Sequence, residues 1–219
     1  MPELTEGSIG YYTSKGMTLS EAQEARKKFT ASQVSKPLFN ICLAIGHNFA
    51  KGTSGVQDKG AYWNGLSEAD VTKKIIDDII SRWIPGFNIV KCPEGLSIDQ
   101  RNKWVNSRTD KLHGYFEFHL DSATPQATGA TTFFVGWNTW AEWEAKQYQE
   151  EYSRITWIKS RWVKPDTSTR HWRLWAIRDI KIFWLLMEMW FISNQNDLKT
   201  IQSKWIDGVI TGIQKMFIS

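Results

Sequence analysis

The chain has 219 residues, with 27 Lys and Arg against 23 Asp and Glu, 42% hydrophobic and 14% aromatic. That is enough chain to bury a real core as one large domain or a domain with a short appendage, and the apolar content with a net charge of only +4 excludes intrinsic disorder. No basic stretch followed by an apolar one opens the chain, and the most apolar segment, Ile182 to Ile192, is too short to span a bilayer and contains Glu188.

A soluble protein without a secretory signal or membrane insertion is therefore expected. Two cysteines, Cys42 and Cys92, cannot make a disulfide framework and are read as buried free thiols. The basic runs Arg26-Lys27-Lys28 and Lys73-Lys74 read as solvated helix faces, and no nucleic-acid partner is expected from them.

Residues 1–36 are polar and read as an appendage with one helix, Leu19 to Phe29, capped by Thr18 or Ser20. At Pro37 the character changes. Leu38 to Ile45 is a nearly continuous apolar run that stops at Gly46-His47-Asn48, as a strand covered on both faces does. After a Gly-rich loop over 51–65 comes a helix from Leu66 to Ile84, capped by Ser67, with Val71, Ile75, Ile76, Ile79, Ile80 and Trp83 at helical spacing.

Phe87 to Val90 is the next strand and Ser97 to Arg108 a short helix. Tyr115 to Leu120 follows as a strand with Phe116 and Phe118 on one face and Glu117 and His119 on the other. Thr131 to Val135 (strand), Thr139 to Trp157 (helix), Phe183 to Met189 (strand) and Asn194 to Phe217 (helix, with Leu198, Ile201, Trp205, Val209 and Ile213 inward) complete the order. Strands alternating with helices predict an α/β fold of three layers, a mostly parallel, mixed central sheet flanked by helices on both faces.

Three ionisable groups stand where a sheet interior should be apolar: His47 directly after the first strand, His119 at the end of the third, and Glu188 within the most apolar segment. A lone buried carboxylate costs several kcal/mol unless it is paired, protonated or bound to metal. In open α/β sheets ligands gather at the carboxyl ends of strands, and all three lie at or near such ends. Two imidazoles and a carboxylate leaving one position open is the pattern of hydrolytic zinc, and Glu68 in the first helical turn is the candidate third ligand. Taken singly, His119 also reads as a hydrogen-bonded strand residue and Glu68 as a carboxylate at a helix start. His113 and His171 read as ordinary surface or loop residues, and no HExxH, G-x-S-x-G, P-loop or G-x-G-x-x-G is present.

Four segments occur in order: Ile45-Gly46-His47-Asn48; Gly60-Ala61 with Glu68; Phe118-His119-Leu120-Asp121-Ser122-Ala123 with Gly129; and Met187-Glu188-Met189-Trp190-Phe191-Ile192-Ser193-Asn194. Together they resemble the zinc-dependent N-acetylmuramoyl-L-alanine amidases of the amidase-3 type over roughly residues 37–217, and Leu96 to Asn106, with Arg101 and Asn106, is similar to that family's arginine-to-asparagine helix. The resemblance implies a catalytic domain over 37–219 that binds one Zn²⁺ through His47, Glu68 and His119, with Glu188 as the catalytic carboxylate. It also implies peptidoglycan as partner and cleavage of the amide between N-acetylmuramic acid and L-alanine.

Without a visible signal, a monomeric phage or prophage endolysin held in the host bacterial cytoplasm before release to the wall is expected, with secretion by another route as the variant. The competing readings are a non-catalytic peptidoglycan-binding or virion domain on the same scaffold, and another zinc hydrolase such as a carboxypeptidase. The chain departs from the family at Trp162 and Trp190, where relatives commonly have glycine. Thirteen tryptophans, nine of them between Trp137 and Trp190, underline the oddity. Two explanations stand: a codon that the source reads as glycine (which would extend to Trp63, Trp157, Trp172 and Trp184), or an aromatic surface for stacking on glycan. Trp190 beside Glu188 is expected to crowd the groove.

Overall fold

The computed structural model describes residues 15–22, 24–25, 39–51, 55–82, 84–169 and 174–218. His171, Trp172, Trp83, the basic run Arg26–Lys28 and the end of the Leu19–Phe29 helix lie outside the described residues. Two compact units divide the chain: residues 1–38 with 84–88, and residues 39–83 with 89–219. In the first, residues 19–22 and 24–25 are helical, and Thr18 caps them as expected. Its hydroxyl accepts from the Glu21 N–H at 3.3 Å, and Glu21 Oε2 accepts from the Thr18 N–H at 2.9 Å.

The strands are β1 (Phe39–Ile45), β2 (Tyr62–Trp63), β3 (Leu66–Ser67), β4 (Phe87–Lys91), β5 (Gly114–Asp121), β6 (Ala130–Phe134), β7 (Ser160–Pro165) and β8 (Trp184–Phe191). The helices are α1 (Glu68–Ile80), α2 (Ile98–Asn106), α3 (Thr139–Thr156), α4 (Trp175–Arg178), α5 (Gln195–Ile201) and α6 (Trp205–Ile218). One six-stranded sheet has the order β4-β1-β5-β8-β6-β7, and β2 and β3 form a separate hairpin. β1, β5 and β8 run parallel, while β6 is antiparallel to β8 and parallel to β7. The fold is the mixed three-layer α/β arrangement that the alternation of elements implied.

The pleat sorts β5 between the two layers. Phe116 meets Phe217 of α6 on one face, while Tyr115 on the other joins a buried cluster with Val105 of α2, Ile177 of α4 and Cys42 and Ala44 of β1. α1 lies on the Phe116 side, burying Ile75, Ile76 and Ile79. Val71 is only half-buried and Ile80 is 40% exposed, so the inward stripe is narrower than its spacing implied. Cys42 and Cys92 are buried free thiols, and Lys73 and Lys74 pair with Asp77 and Asp78 along α1, as a solvated helix face should.

Chain order places the crevice. α1 carries the chain from β1 outward to β4, whereas β5 on the other side of β1 leads away toward β6 and β8. Adjacent strands whose connections diverge leave an opening at their carboxyl ends, where loops cannot close over the sheet.

Several elements differ from expectation: the β2–β3 hairpin and α4 were not expected, and the helix expected over Leu66–Ile84 runs only from Glu68 to Ile80. β7 lacks alternation (Ser-Arg-Trp-Val-Lys-Pro) because it is a polar edge strand, held by pairing with β6 and not by an apolar face. The single closing helix is two helices, α5 and α6; the apolar stripe keeps its phase across residues 202–204, which is why periodicity alone joined them.

Candidate metal centre and catalytic carboxylate

Local sequence delivers four groups to the crevice. β1 ends at Ile45, and Gly46 donates its N–H to the Phe118 carbonyl at 2.8 Å, bringing the loop onto the end of β5. A Cβ on Gly46 would collide with the His119 ring, so only glycine permits this approach. His47, Asn48 and Phe49 then make a left-handed turn, with φ of 61°, 50° and 55°. Three consecutive non-glycine residues in that region are strained, and the turn persists because its surroundings over-determine it. The Asn48 side-chain amide donates to the carbonyls of Pro93 at 3.1 Å and Leu96 at 3.3 Å, and the Asn48 backbone carbonyl accepts from Gly95 N–H at 2.8 Å.

Glu68 is the first residue of α1, behind the cap Ser67, whose hydroxyl accepts from the Asp70 N–H at 3.2 Å. Its carboxylate is 3% exposed and accepts from Ala61 N–H at 3.0 Å and Leu120 N–H at 3.1 Å. Gly60, at φ 68°, leaves room for that carboxylate and the His47 ring; a Cβ there would meet both.

His47, Glu68 and His119 each offer a ligand atom, and these atoms all lie within 4.8 Å of one another. His47 Nε2 is 3.4 Å from Glu68 Oε2, and His119 Nδ1 is 2.8 Å from Glu68 Oε1. The far nitrogen of each ring faces a further carboxylate: Asp58 Oδ2 lies 2.9 Å from His47 Nδ1, and Glu117 Oε1 lies 2.8 Å from His119 Nε2. A ring held at its outer nitrogen by an acceptor presents its inner nitrogen as a bare lone pair, the arrangement of metal-binding histidines.

Charges in the centre follow from these contacts. Burial would raise the Glu68 carboxyl, but His119 and His47 hold it below the usual range. Burial likewise disfavours a charged His119, yet Glu117 and Glu68 on either side raise it well above the ordinary imidazole value. A ring squeezed between two carboxylates favours positive charge, which a divalent ion in place of the proton also supplies.

Glu188 sits beside His119 in the β5–β8 register and on the same face. Its Oε2 is shut off from solvent and has no hydrogen-bond partner among the described residues. Burial pushes the carboxyl up to about 8, against the pull of His119 and with help from Glu68. Trp190 does not crowd it. Two β8 residues stand opposite one β5 residue between His119 and Asp121, and this bulge turns Trp190 to the α6 side. There it is fully buried and stacks on Trp205 at 5.9 Å.

The four expected site residues thus converge. His113 is exposed and away from them, its Nδ1 accepting from the Asn40 N–H at 2.9 Å. Reading the sequence missed Asp58 and the roles of Glu117 and Arg101; a second acidic residue two positions from a candidate ligand, on the same strand face, was the available signal for Glu117. Arg101 on α2 reaches Glu117 Oε1 at 3.0 Å and the Ile45 carbonyl at 3.3 Å, so the helix is tied to both strands that carry the centre.

Solved structures share the architecture. An N-acetylmuramoyl-L-alanine amidase from Clostridium difficile 630 superposes with a TM-score of 0.64 at 16% identity, covering 81% of this chain and 96% of that one. The catalytic domain of CwlV, an N-acetylmuramoyl-L-alanine amidase from Bacillus (Paenibacillus) polymyxa var. colistinus, gives 0.64 at 17% over 80% and 96%. The catalytic domain of the CD27L endolysin targeting Clostridia difficile gives 0.61 at 18% over 81% and 96%. No curated protein matches the chain. Residues 41–215 match the family described as N-acetylmuramoyl-L-alanine amidase (Amidase_3), and with four fifths of its length inside that match the chain belongs to this family of enzymes.

Proposed function

We propose that the protein is a zinc-dependent hydrolase of peptidoglycan that cleaves the amide between N-acetylmuramic acid and the L-alanine of the stem peptide. The observation that carries this is the convergence of His47, Glu68 and His119, with Glu188 next to them, its Oε2 without a hydrogen-bond partner among the described residues. Two imidazoles and one carboxylate are a hydrolytic zinc donor set, and the two outer carboxylates complete it. When bound, the ion supplies a Lewis acid that polarises the scissile carbonyl and acidifies water.

The chain's own residues do the rest. Asp58 and Glu117 keep the rings oriented, Glu68 accepts backbone N–H groups so that it cannot swing away, and Glu188 is the proton carrier. A carboxyl raised toward neutrality takes a proton from the attacking water and gives it to the departing alanine nitrogen with little mismatch in pKa. Residues 37–219 are proposed as the catalytic domain, active as a monomer, with 1–36 as its appendage.

Incubating purified peptidoglycan with the zinc-loaded chain tests the reading: new N-terminal L-alanine without new reducing sugar is expected, and binding without release would overturn catalysis. An endolysin role is supported by the fold shared with the CD27L domain, and none of the described helices is long and apolar enough to cross a membrane. Bacteria accumulating the chain should then stay intact until their membrane is permeabilised. Lysis before that point would indicate export by another route.

A further inference from the structure

Glu117 carries no proton in the reaction proposed above and only holds the His119 ring, yet it is a fully buried carboxylate on the central strand, two residues before His119 and on the same face. Its oxygens are spoken for: Oε1 by His119 Nε2 at 2.8 Å and Arg101 Nη2 at 3.0 Å, Oε2 by the Tyr115 hydroxyl at 2.8 Å. Three donors on two oxygens leave the carboxylate little room to turn. Burying a charge is tolerated only with such compensation, and Arg101, 3% exposed, supplies it from α2.

We propose that Glu117 is the positioning residue of the metal centre: it pins His119 in the orientation and tautomer that leave Nδ1, the nitrogen beside Glu68, to ligate the ion. The proposal rests on His119 being a metal ligand. A neutral imidazole carries one N–H. Donated to Glu117 from Nε2, that proton leaves Nδ1 bare; without Glu117 the ring is free to flip or to protonate at Nδ1, and both remove the ligand. The fixed negative charge behind the ring also makes it a stronger donor. Arg101 acts one step further out, by keeping Glu117 charged and still.

The test uses the full chain and Zn²⁺ alone. Chelator competition gives the zinc affinity, and two-bond ¹H–¹⁵N spectra of the zinc-loaded protein report the His119 tautomer. Glu117→Gln is expected to weaken zinc about 10- to 100-fold and to mix the tautomers, while Tyr115→Phe, which leaves the His119 contact intact, does neither. If Glu117→Gln fails to fold because Arg101 is stranded, the double variant Glu117→Gln/Arg101→Met, which removes both charges, carries the same expectation. A folded variant with wild-type zinc affinity and a single tautomer overturns the proposal and reduces the Glu117–Arg101 pair to a strut. A wild-type chain that takes up no zinc overturns the metal reading itself, a distinguishable failure.

Backbone geometry carries a second, independent inference. Trp157 ends α3 at φ 61° and ψ 15°, and Trp162 in β7 has φ 70°. Helices end on a left-handed residue that is usually glycine, and an indole has no local hydrogen bond to offset the clash there. Trp162 belongs to the extra residue pair Arg161-Trp162 set opposite Thr131, a bulge of the kind that glycine builds. Both side chains point into solvent, 74% and 78% exposed. The left-handed His47–Phe49 turn is anchored by side-chain and backbone bonds, as described above. Nothing comparable pins either residue, although Lys204 lies over the Trp157 ring and the Trp162 backbone N–H donates to the Ser160 hydroxyl at 3.2 Å.

We infer that positions 157 and 162 are glycine in the polypeptide the source organism makes, from a codon that it reads as glycine and the standard code reads as tryptophan or stop. Reading the two codons and the peptide masses of the native chain tests this. A UGA codon at each, with peptides carrying glycine mass, is expected. UGG at either position, or tryptophan mass in the native peptides, overturns it.

Discussion

The two histidine arms of the centre are built on opposite plans. His119 rides a central strand, its side chain 12% exposed, and its outer carboxylate is buried and backed by a buried arginine. His47 stands on a strained loop turn, 35% exposed, and its outer carboxylate Asp58 is 53% exposed. The two hydrogen bonds have nearly the same length, 2.8 and 2.9 Å. Their energies differ, because a charged contact out of water is screened far less than one at the surface. The buried arm is therefore the more firmly held of the two.

Four measurements break or sharpen that contrast. The largest effect belongs to Glu188 beside the buried arm: Glu188→Gln should lower turnover about 10²- to 10⁴-fold with zinc content unchanged. Loss of zinc together with activity would make Glu188 a ligand instead of the proton carrier.

Next, Asp58→Asn should weaken zinc binding less than Glu117→Gln does, by under about tenfold, since an exposed hydrogen bond contributes only about 0.5–1.5 kcal/mol. Equal losses in chelator competition would remove the distinction between the arms. Phe49→Gly relieves one left-handed residue of the loop arm and should raise stability by about 1 kcal/mol in urea unfolding, with zinc affinity little changed. A destabilised variant would mean that the Phe49 ring, under Lys59 at 5.8 Å, contributes more than its backbone costs.

The smallest effect lies away from both arms and serves as a reference. Burial pushes Glu144 on α3 from 4.5 up to about 7, and its Oε2 has no hydrogen-bond partner among the described residues. Below the unfolded value both states hold the proton and the group costs nothing. As pH rises toward 7 the unfolded chain ionises first, so folded stability falls, and the full penalty stands above 7. Glu144→Gln should raise the melting midpoint at pH 8 and leave it unchanged near pH 4; an equal shift at both would reject ionisation as the cause.

Much of this was legible in the residues. The run Phe39–Ile45 is apolar on both faces because its strand is covered on both, and Ser67 before Glu68 marks a helix start by the chemistry of its hydroxyl. His47, His119 and Glu188 were visible because polar groups at the ends of apolar strands are costly without a purpose. β7 was not legible: as a polar edge strand it carries no pattern to read. The bulge that turns Trp190 away from Glu188 was not legible either, because an inserted residue leaves no mark on hydrophobic periodicity and yet reverses the face that a side chain takes.

What the sequence by itself determined is local and periodic: which segments are strands or helices, where they are capped, and which ionisable groups sit where burial is expensive. Tertiary structure alone decided distance. Glu68 and His119 are 51 residues apart and meet at 2.8 Å, and Arg101 reaches Glu117 across two layers, because the sheet order puts β5 beside β1 with diverging connections. The reason is physical: periodicity reports the face that a residue takes on its own element, whereas the partner across the crevice is set by strand order and register, which no short stretch of sequence contains.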